Sequence, residues 1–175
     1  AAQAQDLALP LGGDGTFSAR IVQLVAIVTL LSIAPGLAVM VTCFPFIVTV
    51  LSILRQAIGL QAAPPNLLIV SLALFLTWFV MDPVLTAAWE AGLGPLFQGE
   101  LPPEVALPRA VVPFRGFMEA RVDAETLSAF VAMRPDPGVA DGGEVPLSVL
   151  VPAFMLSEIA RAFEIGFLIF LPFLV

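Results

Sequence analysis

The chain has 175 residues, 59% of them hydrophobic and 12% charged, with a mean hydropathy of +1.03. Soluble domains carry about 25% charged residues, so an ordinary soluble domain is excluded. Seven arginines, no lysine and fourteen acids give a net charge of −7, which lacks the basic footprint that nucleic-acid binding needs. The single cysteine, Cys43, permits no internal disulfide and reads as a small buried apolar residue. Histidine is absent, so zinc or haem would lack its commonest ligand. The long uncharged runs lack the alternation of membrane-barrel strands. They predict an all-α membrane protein with an extra-membrane insertion.

Residues 1–20 are polar and Gly-rich (Gly12-Gly13-Asp14-Gly15) and read as a flexible terminus. The opening AAQAQ suits a secretory terminus whose signal peptide has been removed, or a shortened chain. The apolar end FLIFLPFLV suggests part of a longer polypeptide.

Residues 21–81 form the first apolar region. Ile21 to Leu54 holds no charged residue. As one helix it would reach about 51 Å, against a bilayer core of about 30 Å. Pro35-Gly36 and Pro45 are natural break points. The expectation is a helix over Ile21–Ala34 and a second over Gly36–Ala57. Arg55 to Asn66 reads as a loop, with Pro64-Pro65 ahead of Asn66 as helix cap. The next helix runs from Leu67 to Glu90, with Asp82-Pro83 reading as a terminus. Trp78 and Trp89 suit either a membrane interface or helix–helix packing.

Residues 82–144 hold ten acids against four arginines, a net of −6. Gly92 to Pro108 reads as irregular. Pro113 to Met133 predicts one or two amphipathic helices, with Asp123 as a cap and Pro135 as a stop. Turns are expected at Asp136-Pro137-Gly138 and Gly142-Gly143. By the positive-inside bias, the loop at Arg55 is cytoplasmic and the acidic segment periplasmic, although Arg20 counts against this.

Residues 145–175 form a third apolar helical region. Glu158, Arg161 and Glu164 recur at intervals of three, so Arg161 can pair with either acid on one helix face. Glu158 would lie about 18 Å along a helix starting near Pro146. A central charge costs at least about 2.5–3.5 kcal/mol in lipid, so this group should face protein or water. It reads either as the polar lining of an aqueous path or as a structural ion pair between helices or subunits. No catalytic, cofactor-binding or metal-binding residues stand out: there is no His for a triad, no phosphate-binding Gly-Lys loop and no HExxH. An independent helical channel or transporter is a competing class. It would want ionisable groups on several membrane helices, and the first two apolar runs have none.

Several short words then occur in order: LSILRQAIG at Leu51 to Gly59, Gln61, Pro64-Pro65-Asn66, and SLALFLTWFVMDPV at Ser71 to Val84. Pro113 to Met118 with Arg121 forms a second block, and Val145-Pro146-Leu147, Ser157-Glu158 and Ala162 to Phe167 a third. From about Val28 onward the chain resembles the FliP/SctR family of type III secretion export-gate subunits.

That resemblance implies bent helical hairpins with an inserted periplasmic segment. It also implies a homo-oligomer, pentameric in the family, with FliQ and FliR as partners. The function implied is a conduit for unfolded flagellar proteins at the flagellar basal body in the bacterial inner membrane, in contact with membrane lipid and without nucleic acid, cofactor or enzymatic turnover. Gln56 and LTWFVM lean to the flagellar branch. A virulence secretion subunit is the alternative.

Their spacing on the third apolar helix makes Glu158, Arg161 and Glu164 candidates for a pore or an interface, and the resemblance does not carry over a pairing role for Arg161, since one residue turns a helix face by about 100°. The resemblance implies hairpin packing roles for Arg55, Pro64, Pro65, Asn66 and Asp82, and a periplasmic interface at Arg115, Phe117, Met118 and Arg121. The chain departs from the family at Phe46, where a basic residue is usual, at Ala160, where Lys is usual, and at Glu164, where Gln is usual. Family members also continue into a Met-rich loop that closes the pore; this stretch would lie beyond Val175.

Overall fold

The structure is a computed structural model, and it describes residues 14–59, 65–134 and 143–173. It is all-helical, with no strand among the described residues. Two units are distinguished, residues 1–37 and 38–175.

The first unit holds most of α1 (Asp14–Met40). This helix begins seven residues before the expected Ile21 and continues through Pro35-Gly36 without the expected break. A proline removes one backbone donor, while the flanking amides keep their helical partners, and an apolar run supplies no others. Thr29 and Ser32 turn their hydroxyls back onto the carbonyls of Val25 and Val28, which satisfies them within the helix.

In the second unit the break falls at 41–43. Thr42 Oγ1 donates to the Val39 carbonyl at 2.8 Å and accepts from the Phe44 N–H at 3.3 Å. α2 (Phe44–Ala57) starts there, with Pro45 in its first turn, where a missing N–H costs nothing. Cys43 is buried at this corner.

α3 (Asn66–Ala88) follows Pro65, whose extended backbone (φ −58°, ψ 149°) sets the entry. Asn66 is the first helical residue and not the cap: no side chain caps this helix. The Asn66 amide oxygen instead accepts from Arg55 Nη1. Asp82-Pro83 lies inside α3, so Asp82 does not end it.

The winding passes directly into a π-helical segment (Trp89–Leu93) and α4 (Gly94–Phe97). α5 (Pro103–Glu119) carries Pro108 and Pro113 in its interior. The expected irregular stretch from Gly92 to Pro108 is therefore mostly helical. Packing overrides the local proline and glycine signal here, because Gly92 lies against α5. A Cβ on Gly92 would fall 2.2 Å from the Ala106 carbonyl oxygen and 2.7 Å from the Ala110 nitrogen, so only glycine permits this approach.

α6 (Ala124–Met133) is capped by Asp123 as expected, its carboxylate accepting from the Thr126 N–H at 2.8 Å. The turns expected beyond Pro135, and residues 1–13, lie outside the described residues. α7 (Leu147–Phe170) ends in a 3₁₀ turn (Leu171–Phe173).

α7 organises the second unit. Val149, Leu150, Ala153, Phe154, Ser157, Glu158, Ala162 and Gly166 form its buried stripe, one face at helical spacing. α2 packs on it most extensively, and α5 and α6 also lie against it. Met118, Leu150 and Phe154 make the centre of the core, flanked by Phe117, Val122 and Leu127. α3 packs on α2 and α5 through Ile69, Ala73, Thr77, Met81 and Ala88. Its other sides carry exposed Leu67, Phe75, Trp78 and Phe79. The winding from Asn66 to Phe97 is the one described stretch long and apolar enough to cross a membrane.

Candidate functional site

The site is one turn of α7 fastened to the turn between α5 and α6. Glu158 has 0% of its surface exposed. Burying a carboxylate requires charge pairing and hydrogen bonds, and two arginines supply them. Arg121 donates from Nε to Oε1 at 3.1 Å and from Nη2 to Oε2 at 3.2 Å, the two-pronged match of guanidinium to carboxylate. Arg161 donates from Nη1 to Oε1 at 2.9 Å and from Nη2 to the Arg121 carbonyl at 2.9 Å. The Arg121 guanidinium also sits 5.2 Å from the Phe117 ring centre, a favourable cation–π distance. Phe117 meets Phe154 edge to face at 5.8 Å.

Ser157 extends the fastening. Its hydroxyl accepts from the Asp123 N–H at 3.0 Å and donates to the Ala153 carbonyl at 2.8 Å. Among the described residues no buried side-chain polar atom lacks a partner. The Thr126 backbone N–H first, and its hydroxyl second, hold the Asp123 carboxyl below the usual aspartate range.

Arg115 makes a second tie. It pairs with Glu144 at 2.7 Å and Glu119 at 3.3 Å, and donates to the Val145 carbonyl at 2.7 Å. This joins α5 to the entry of α7.

The sequence-predicted residues thus separate into groups. Glu158 and Arg161 meet as their spacing predicts. Glu164 is exposed and makes no ion pair among the described residues. Phe117, Met118 and Arg121 turn toward α7 of the same chain, with Met118 fully buried, and Arg115 turns to the residues just ahead of it. Arg55 and Asn66 meet across the α2–α3 connection. Pro64 lies outside the described residues, and Asp82 is exposed on α3.

Two contacts of the site escape sequence reasoning. Arg121 reaches Glu158 across 37 positions, and Ser157 binds Asp123 across 34. The only advance signal for the first is that a buried acid needs more cover than one neighbouring arginine provides. The arrangement can hold two elements together electrostatically. Among the described residues no group of three or more His, Cys, Asp or Glu side chains could hold a metal.

Residues 27–175 match the model of the FliP family. The flagellar biosynthetic protein FliP of Caulobacter vibrioides is 46% identical over 165 residues, 94% of this chain and 62% of that protein. The same-named protein of Agrobacterium fabrum is 46% identical over 93% of this chain and 67% of its own length. That of Bacillus subtilis is 37% identical over 88% and 70%. The chain therefore spans about two thirds of the length of these three relatives. With a family match over residues 27–175 and relatives up to 46% identical over most of its length, the chain belongs to the FliP family.

Proposed function

We propose that this chain is a core subunit of the flagellar type III export gate, an oligomeric conduit for unfolded flagellar proteins at the bacterial inner membrane. Membership of the FliP family carries this reading, and the relatives' flagellar names favour it over a virulence secretion system. The distribution of apolar surface supports it physically. α3 turns Leu67, Phe75 and Phe79 outward, as a helix does when lipid or neighbouring subunits are to cover it.

In this reading residues 21–81 and 145–175 form the membrane-associated helices, bent into hairpins. The Arg55–Asn66 connection faces the cytoplasm. Arg55, Pro64, Pro65 and Asn66 hold the hairpin, with Asp82 near its far end. Residues 82–144 form the periplasmic segment, where Arg115, Phe117, Met118 and Arg121 dock α5 on α7 and support an interface. Glu158 and Arg161 keep the subunit's shape. Glu164, exposed and without an ion pair among the described residues, is the member of the charged trio best placed to face a pore or a neighbour. Further copies of the chain, FliQ and FliR complete the gate, and turnover is not required of this subunit.

Affinity purification of the full-length protein from native membranes tests the assignment. Recovery with other small export-gate membrane subunits is expected. A discrete homo-oligomer free of secretion partners would instead mean an independent channel.

A further inference from the structure

α6 and α7 leave an open crevice of about 300 Å³ between them. Its walls are Ala129, Phe130 and Met133 of α6 and Leu156 of α7, with Asp123 and Glu125 at one side. Met133 is 78% exposed and Leu156 50%, so apolar surface is open beside two carboxylates. Glu125 makes no ion pair among the described residues.

α5 carries a matching face. Val105, Arg109, Val112 and Gly116 are spaced i, i+4, i+7 and i+11, which places them on one side of a helix, and all four are exposed. Arg109 makes no ion pair among the described residues. Among the described residues nothing requires glycine at 116: a Cβ there would meet nothing within 4 Å. A glycine inside a helix costs about 0.5–1 kcal/mol relative to alanine. Its absent side chain fits the close approach of another backbone.

We propose that the α5 face centred on Arg109 docks into the α6–α7 crevice of a second copy of this chain. Arg109 then reaches Glu125 and Asp123, a charge-assisted match in guanidinium geometry. Val105 and Val112 cover Phe130, Met133 and Leu156, and Gly116 lets the helices close. Donor face and acceptor crevice are different surfaces, so each contact leaves one of each open. Such a contact propagates head to tail and closes into a ring where the rotation allows. The inference rests on the self-assembly reading above and supplies its contact.

The test co-expresses two differently tagged full-length copies in membranes, one carrying Val112→Cys and the other Ala129→Cys, and treats them with a mild copper oxidant. A disulfide between the tags is expected. Arg109→Glu on the first copy should lower its yield about tenfold, corresponding to about 1.4 kcal/mol, and Glu125→Arg on the second should restore it. Arg109→Gln, which adds no repulsion, should give a smaller loss. A wild-type oligomer on native gels with no cross-link, a cross-link indifferent to Arg109→Glu, or capture of a different protein at Ala129→Cys would overturn the docking alone. A wild-type chain that is monomeric in native membranes would overturn both the docking and the self-assembly reading.

Discussion

Glu158 and α3 are inverted relative to a soluble protein. The charged side chain is fully buried, while Leu67 is 77% exposed and Phe79 74%. In the turn around Glu158 every buried side-chain polar atom is partnered among the described residues. Along α3 the stripe Ile69, Ala73, Thr77, Met81, Ala88 is buried among the described residues, and most of the remaining side chains are exposed. The first region is finished internally. The second leaves its apolar side chains exposed among the described residues.

Glu158→Ala strikes the finished region hardest. It leaves two guanidinium groups without their shared carboxylate, and breaking a buried pair this way costs about 3–5 kcal/mol. Loss of assembled complex on native gels should precede any change in conductance. An intact complex with altered leak would assign Glu158 to a water-filled path. Gly92→Ala should cost about 1–3 kcal/mol in denaturation of the purified protein, because the added methyl meets α5 backbone. Phe79→Ala tests the unfinished region. Stability of the isolated chain in detergent should change by less than about 0.5 kcal/mol, while association with lipid or neighbouring subunits weakens; the reverse result would place Phe79 in an internal core.

The smallest effect concerns Asp123. Its carboxyl is held below the usual aspartate value of 3.8 by Thr126, so the cap favours the folded state above that value. The contribution is lost as pH falls from about 3.8 through the lower folded value. Amide exchange at Thr126 should accelerate in that window, and Asp123→Asn, which keeps a capping oxygen, should flatten the pH dependence.

What could be read from sequence was local. Asp123 caps α6 because its carboxylate needs only the N–H three residues on, and Glu158 meets Arg161 because three residues nearly complete a turn. Arg121 was legible as a member of a motif but not as the clamp on Glu158, since no spacing rule joins α5 to α7. Prolines misled in both directions. Pro35, Pro83, Pro108 and Pro113 all sit inside helices, whereas the true interruption at 41–43 contains none. Proline removes one donor; whether a helix stops there depends on what the remaining amides could bond instead, which is a tertiary question. Asn66 shows the same limit: a good capping side chain is diverted by Arg55 from another helix.

The π-helical segment at Trp89–Leu93 works as a phase shifter. Five residues wound more widely than an α-helix allow one extra residue in the turn. In an α-helix each residue advances the face by about 100°, so the faces before and after the segment are out of step by roughly that angle. Trp89 can therefore stack on Phe97, their ring centres 5.7 Å apart, while Gly92 still turns toward Ala106. A wheel drawn through Asn66–Phe97 on a single α period would mix surfaces that the molecule keeps apart. Removing one residue here would leave every later side chain with its identity but give it a new direction.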